Sequence, residues 1–174
     1  MALWKDGSFV DDAFTTVADD AQLDPSAAVI VPLARWRAQR AILFQRPGKL
    51  GLLMELGKPF DDIHADIKRF DVIAVPFSKF SDGRAFSIGR LLRDQHGFKG
   101  ELRAVGPYTI DQAPYLRRVG FDALEPTEPL TIESLKKGIW PEVPEYYQPV
   151  TPTMEVPAGT RPWARRRAPG HEGA

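Results

Sequence analysis

Asp71-Val72-Ile73-Ala74-Val75-Pro76-Phe77 runs directly into Ser78-Lys79-Phe80-Ser81-Asp82-Gly83-Arg84-Ala85-Phe86-Ser87. The first stretch is short, β-branched and apolar at nearly every position, the pattern of a strand buried on both faces. The second is polar and charged. After it the apolar residues Ile88, Leu91 and Leu92 recur at helical spacing, and His96-Gly97 supplies a helix stop. Strand, loop and helix in that order make one unit of a parallel α/β sheet.

Working outward, the same unit repeats. Apolar runs at residues 28–31 and 51–56 precede it, and runs at 102–106 and 121–124 follow it. Helical patterns fill the gaps. Residues 34–44 carry Trp36, Ile42 and Leu43. Asp61 or Asp62 can cap a helix with Ile63 and Ile67 on one face, and Ser87 can cap the helix of Ile88. Thr109 or Asp111 can cap a helix that tolerates Pro114 in its first turn and ends at Gly120. Thr131 can cap a last one that closes on Lys136-Lys137-Gly138. The expectation is a single α/β domain with a mainly parallel sheet of about five strands, doubly wound rather than part of a barrel, with helices on both faces. Residues 1–27 form an N-terminal segment and 28–140 the domain. Residues 141–174 are Pro- and Arg-rich without apolar period and read as an extended, largely disordered tail.

Composition narrows the function. Among 174 residues, 23 basic and 23 acidic side chains cancel, which argues against a general nucleic-acid binder. No apolar run approaches a membrane span, and the N-terminus lacks the order of a signal peptide, so a cytoplasmic location is expected. There is no cysteine. Disulfides, thiolate nucleophiles and Cys-held zinc or iron–sulfur clusters are thereby excluded. The three histidines, His64, His96 and His171, show no metal-ligand spacing, and no dinucleotide fingerprint, phosphate loop or nucleophile elbow is present. No metal and no cofactor are expected.

In parallel sheets ligands bind beyond the carboxyl ends of the strands, which singles out two loops. Residues 77–87 bring Lys79, Asp82, Gly83, Arg84 and Ser87 to a helix N-terminus, where free amides favour an anion and Arg84 offers a two-pronged grip. Asp82-Gly83 also reads as an ordinary turn pair. Residues 106–112 place Asp111 and Gln112 equivalently one unit later. Arg103 lies inside a buried strand and demands a partner; Asp82, Asp111 and Asp122 are the carboxylates considered, for a structural ion pair or a ligand contact.

Residues 77–87, Leu91-Leu92-Arg93, Gly100-Glu101-Leu102-Arg103-Ala104-Val105-Gly106, Asp111-Gln112, Tyr115-Leu116-Arg117-Arg118 and Gly120-Phe121-Asp122-Ala123 together resemble a bacterial family labelled as oxidoreductases of sulfite reduction and encoded beside assimilatory sulfite reductase. Val29-Ile30-Val31-Pro32-Leu33 fits more loosely. Members often differ at Ser78, Ser81, Ala85 and Phe86, and many carry cysteine where Val119 stands. The resemblance implies a role in sulfate assimilation and cysteine biosynthesis, with sulfite reductase as partner. Multi-electron reduction belongs to cofactors, so an accessory, oxyanion-binding protein fits these residues better than an autonomous catalyst. The other expectation is a non-catalytic module that senses a small anionic metabolite.

Overall fold

In the computed structural model the elements follow in chain order β1 (Leu3–Lys5), β2 (Ser8–Val10), β3 (Thr15–Thr16), β4 (Val29–Pro32), α1 (Leu33–Phe44) and β5 (Leu50–Leu53). A 3-10 helix (Asp61–Arg69), β6 (Val72–Pro76), α2 (Arg84–Asp94), β7 (Glu101–Gly106), a one-turn 3-10 helix (Ile110–Gln112), α3 (Ala113–Arg118), β8 (Ala123–Pro126) and α4 (Pro129–Lys136) complete the fold. The structure describes residues 2–59, 61–79 and 82–141, with the short antiparallel pair β9 (Glu145–Tyr146) and β10 (Arg166–Arg167). The rest of the expected disordered tail, within 141–174, lies outside the described residues.

The five strand–helix units are where the sequence places them, but the sheet is larger and wound differently. Eight strands lie in the order β2-β1-β8-β7-β6-β5-β4-β3. From β3 to β8 neighbours are parallel, whereas β1 runs antiparallel to both β8 and β2. The expectation of about five strands is therefore corrected to eight. β1, β2 and β3 come from residues 1–27 and hold three, three and two residues, too few for an alternation to stand out.

The expected cover of helices on both faces is also corrected. Strands that are neighbours in both sequence and space, joined by crossovers of one hand, place every connecting helix on the same side. The packing agrees. Trp36, Leu43, Ile63, Ile67, Ala85, Ile88, Leu92, Ala113, Leu116 and Leu135 from the helices share one core with Val29, Val31, Leu50, Leu52, Ile73, Val75, Leu102, Ala104 and Leu124. The alternate strand residues Ile30, Val72 and Ala74 form a second cluster with no helix residue, packed by Phe14, Leu53 and Val105. The sheet curls, so this inner face covers itself, and Phe14 on the link from β2 to β3 helps to close it. The strands read as apolar on both sides because curling buries the inner side without helices. A singly wound, curled sheet replaces the doubly wound one.

Two helix starts and one helix type differ from expectation. α2 begins at Arg84 with Gly83 as its N-cap, so Ser87 lies in the first turn and its N–H meets the Gly83 carbonyl at 3.5 Å. α4 begins after Glu128; Thr131 sits inside it and its hydroxyl donates to the Tyr108 carbonyl (2.9 Å), tying α4 to the loop after β7. The segment around Ile63 and Ile67 is a 3-10 helix.

Candidate functional site

β6 is buried along its length, and its last N–H contact, Phe77 to the Val105 carbonyl (2.7 Å), fixes where the following loop departs. Phe77 anchors that loop through edge-on contacts to Phe86, Tyr108 and Phe121, with ring centroids 5.1, 5.5 and 5.8 Å away. Gly106, at the end of β7, has φ +136° and a Cβ there would stand 2.2 Å from the Phe77 carbonyl oxygen. Only glycine permits the two strand ends to approach this closely.

Beyond this anchor the loop turns on a 3.1 Å hydrogen bond from the Asp82 N–H to the Lys79 carbonyl. Asp82 then receives the guanidinium of Arg84 side-on: Nε to Oδ1 is 2.9 Å and Nη2 to Oδ2 is 2.6 Å. Asp82 Oδ1 also accepts the Arg84 backbone N–H at 3.1 Å, the first free amide of α2. The carboxylate thus occupies both positions that an incoming anion would use, the fork and the helix end. Arg84 side-chain and backbone hydrogen bonds, with a weaker contribution from the Lys79 charge, lower the Asp82 carboxyl to about 2. The Arg84 side chain remains 60% exposed. A Cβ on Gly57, in the loop after β5, would come within 2.7 Å of Arg84 Nη1. Gly57 is a neighbour that sequence reading missed; its only signal was its position after a strand.

The remaining expected site residues go to different places. Lys79 and Ser87 are exposed on the same loop and first helical turn. Asp111 is exposed. Gln112 turns back to accept the Thr109 N–H through Oε1 at 3.2 Å, a capping-box contact that organises the loop after β7. Asp122 binds Arg93 and the Leu102 N–H.

Arg103 stands apart from the loop, on the inner face of the sheet, between the small residues Ala74 and Ala123 on the neighbouring strands. It is 1% exposed. Its partners are not Asp82, Asp111 or Asp122. Nη1 meets Asp12 Oδ2 (2.6 Å) and Glu125 Oε2 (3.2 Å), Nη2 meets Asp12 Oδ1 (3.0 Å) and Glu101 Oε1 (2.9 Å), and Nε meets Glu101 Oε1 (3.1 Å). Lys5 adds a 2.8 Å bond to Glu101 Oε2. Every donor of the guanidinium is used, so this cluster holds the sheet together and offers no free grip. Burial works against the Arg103 charge, but the hydrogen bonds to Asp12 and Glu101 prevail and raise its affinity for a proton.

A second pairing was invisible in the sequence. His64 on the 3-10 helix and His96 after α2 bring their Nδ1 atoms to 2.5 Å, with ring centroids 4.7 Å apart. No spacing rule detects a pair 32 residues apart.

The model of the family described as "bacterial protein of unknown function (DUF934)" matches residues 51–156. The chain belongs to that family. The DUF934 match runs from β5 past α4, and so takes in both loops at the carboxyl ends of β6 and β7. No curated protein and no solved structure matches the chain. Among the described residues, no helix is long and apolar enough to cross a membrane.

Proposed function

We propose that this DUF934 protein is an accessory component of assimilatory sulfite reduction, in the service of sulfate assimilation and cysteine biosynthesis. In this reading it binds an oxyanion, or the sulfite reductase itself, through residues 77–87. The observation that carries the reading is the arrangement of Asp82 and Arg84. The guanidinium is exposed, yet its fork is held flat by a carboxylate that has the shape and charge of a small oxyanion. A ligand such as sulfite would exchange with Asp82 on a fork already oriented, so little side-chain entropy remains to be lost. Lys79 leaves the loop with one net positive charge after Asp82 and Arg84 cancel. The pathway rests on the sequence resemblance, and a binding role asks nothing of the chain that it lacks. Reduction by this chain alone would require a redox cofactor, and it has no thiolate to hold a cluster.

Deleting the gene should impair growth on sulfate or sulfite, with cysteine restoring it. Normal growth of the deletion on sulfate, with no second copy of the gene present, would count against the pathway. Calorimetry with sulfite and sulfate, beside a pull-down with sulfite reductase, separates the variants of the reading. Anion binding without capture of the reductase would favour a sensor of small anionic metabolites instead.

A further inference from the structure

We infer that the hollow between the β1–β2 turn and the end of α4 binds a small aromatic carboxylic acid, with its ring beside the stacked Trp4 and Trp140 and its carboxylate on Arg117. The hollow encloses about 230 Å³. Sites for drug-sized ligands run to roughly 300–1,000 Å³, so this one suits a single ring and its acid group.

Topology gathers the walls from distant parts of the chain. α3 and α4 follow the parallel strands β7 and β8 and run back across the sheet, so their last turns come to its amino end. There β1, antiparallel to β8 with Trp4 opposite Leu124, turns into β2. Gly7 in that turn and Gly138 after α4 both line the hollow. A Cβ on either would meet nothing within 4 Å, so the space between them is left open. Trp4 and Trp140 stack with ring centroids 4.9 Å apart and planes 12° apart. Trp4 and Leu135 are buried, whereas Ile139 on the rim is exposed. Such a wall favours a flat ring, which gains from aromatic neighbours beyond the area it buries.

The charge selects the acid. Among the described residues lining the hollow, Arg117 is the one cation and no carboxylate is present. Its guanidinium carbon stands 5.6 Å from the Trp140 ring centroid. A guanidinium over a ring keeps its N–H donors at its edges, available to a planar anion. Arg84, Arg93 and Arg103 each hold a carboxylate of this chain; among the described residues Arg117 holds none. One positive charge matches a monocarboxylate, and a dianionic phosphate would bring a charge the hollow does not answer. The end of α4 does not oppose this. The N–H groups of Gly138 and Ile139 donate to the Leu135 and Ser134 carbonyls at 3.0 and 2.9 Å, which satisfies acceptors that a helix end otherwise leaves bare.

The test is a titration of the full chain with sodium benzoate, read by the indole N–H signals in the NMR spectrum. One equivalent should bind with a dissociation constant of about 1 mM or below. The Trp4 and Trp140 signals should move, and that of Trp36, in the core under α1, should not. Benzamide, of the same shape without the charge, should bind at least about tenfold more weakly, the worth of hydrogen bonds to a charged group. Arg117→Gln should weaken benzoate to the level of benzamide. No saturable shift, equal binding of the two probes, or benzoate binding indifferent to Arg117→Gln would overturn the inference. A short peptide ending in a free phenylalanine carboxylate tests the other source of the same chemistry, and its binding more tightly than benzoate would overturn a small-molecule ligand. The two probes on the unsubstituted protein decide the matter should Arg117→Gln fold poorly. Residues 77–87 lie at the opposite end of the sheet, so Arg84→Ala should leave benzoate binding unchanged, and failure at either site leaves the other standing.

Discussion

Arg103 in the middle of β7 grips Asp12, 91 residues earlier in the chain, with two parallel hydrogen bonds of 2.6 and 3.0 Å. That contact joins the inner face of the sheet to the link between β2 and β3. It is a closure, and it depends on a guanidinium that is itself 1% exposed. Removing Arg103 would strand Asp12, Glu101 and Glu125 around an empty space. Arg103→Ala should therefore cost about 3–5 kcal/mol in urea-induced unfolding, the usual penalty for breaking a buried ionic cluster from one side. A loss below about 1 kcal/mol would show that the inner face is wet and the closure weak.

Acid should loosen the same closure. Burial works against the Asp12 carboxylate, but the hydrogen bonds from Arg103 and from the Phe14 N–H outweigh it, so its affinity for protons falls below the ordinary value of 3.8. A carboxyl lowered by folding stabilises the folded state fully above its unfolded value and loses that contribution as pH falls through the folded one. Stability should thus hold down to about pH 4 and decline below it. In Asp12→Asn the step below pH 4 should be shallower, and the variant should be less stable than the native chain at pH 7. Asp82, lowered to about 2, stays charged through most of that decline, and its carboxyl NMR signal should show a separate midpoint near 2.

Gly106→Ala tests the join beneath the loop. The new methyl would meet the Phe77 carbonyl oxygen at 2.2 Å in a backbone conformation that L side chains rarely adopt. The expected cost is about 2 kcal/mol or more, seen as a melting temperature lower by roughly 4–8 °C in a chain of this size. An unchanged melting curve would mean that the ends of β6 and β7 can separate freely.

Arg84 should behave in the opposite way. Arg84→Ala should melt with the native chain, because an exposed ion pair within one loop contributes little to stability, and it should fail to restore growth of a deletion strain on sulfate. Arg84→Lys should fail as well, since an ammonium cannot present two coplanar donors. Full complementation by soluble, folded Arg84→Ala would make residues 77–87 a structural turn and nothing more.

Much of the frame was legible because its elements are long enough to carry a pattern. Residues 71–77 and 102–106 were read as strands and correspond to β6 and β7 within a residue or two. The winding was not legible, because Ile30, Val72 and Ala74 are buried by curvature and look the same as residues buried by helices. Arg103 announced that it needed a partner, but the sequence gives no measure of distance in space, and its partner came from an N-terminal segment with no strand signal. At the candidate site, Asp82 and Arg84 were placed by turn chemistry and strand polarity. Gly57 and the His64–His96 pair, brought in by neighbouring units, left no local trace.

The antiparallel placement of β1 against β8, with Trp4 opposite Leu124, sets an order of events during synthesis. β1 leaves the ribosome well before its partner strand, which is made about 120 residues later, on the order of ten seconds at ordinary elongation rates. Until then Leu3 and Trp4 have no sheet to join, and Asp12 waits 91 residues for Arg103. The parallel units can assemble one after another as they emerge, while β1 and β2 wait and dock last. Such long-range closure slows folding, and it makes β1 and β2 the natural place for a chaperone to hold the nascent chain.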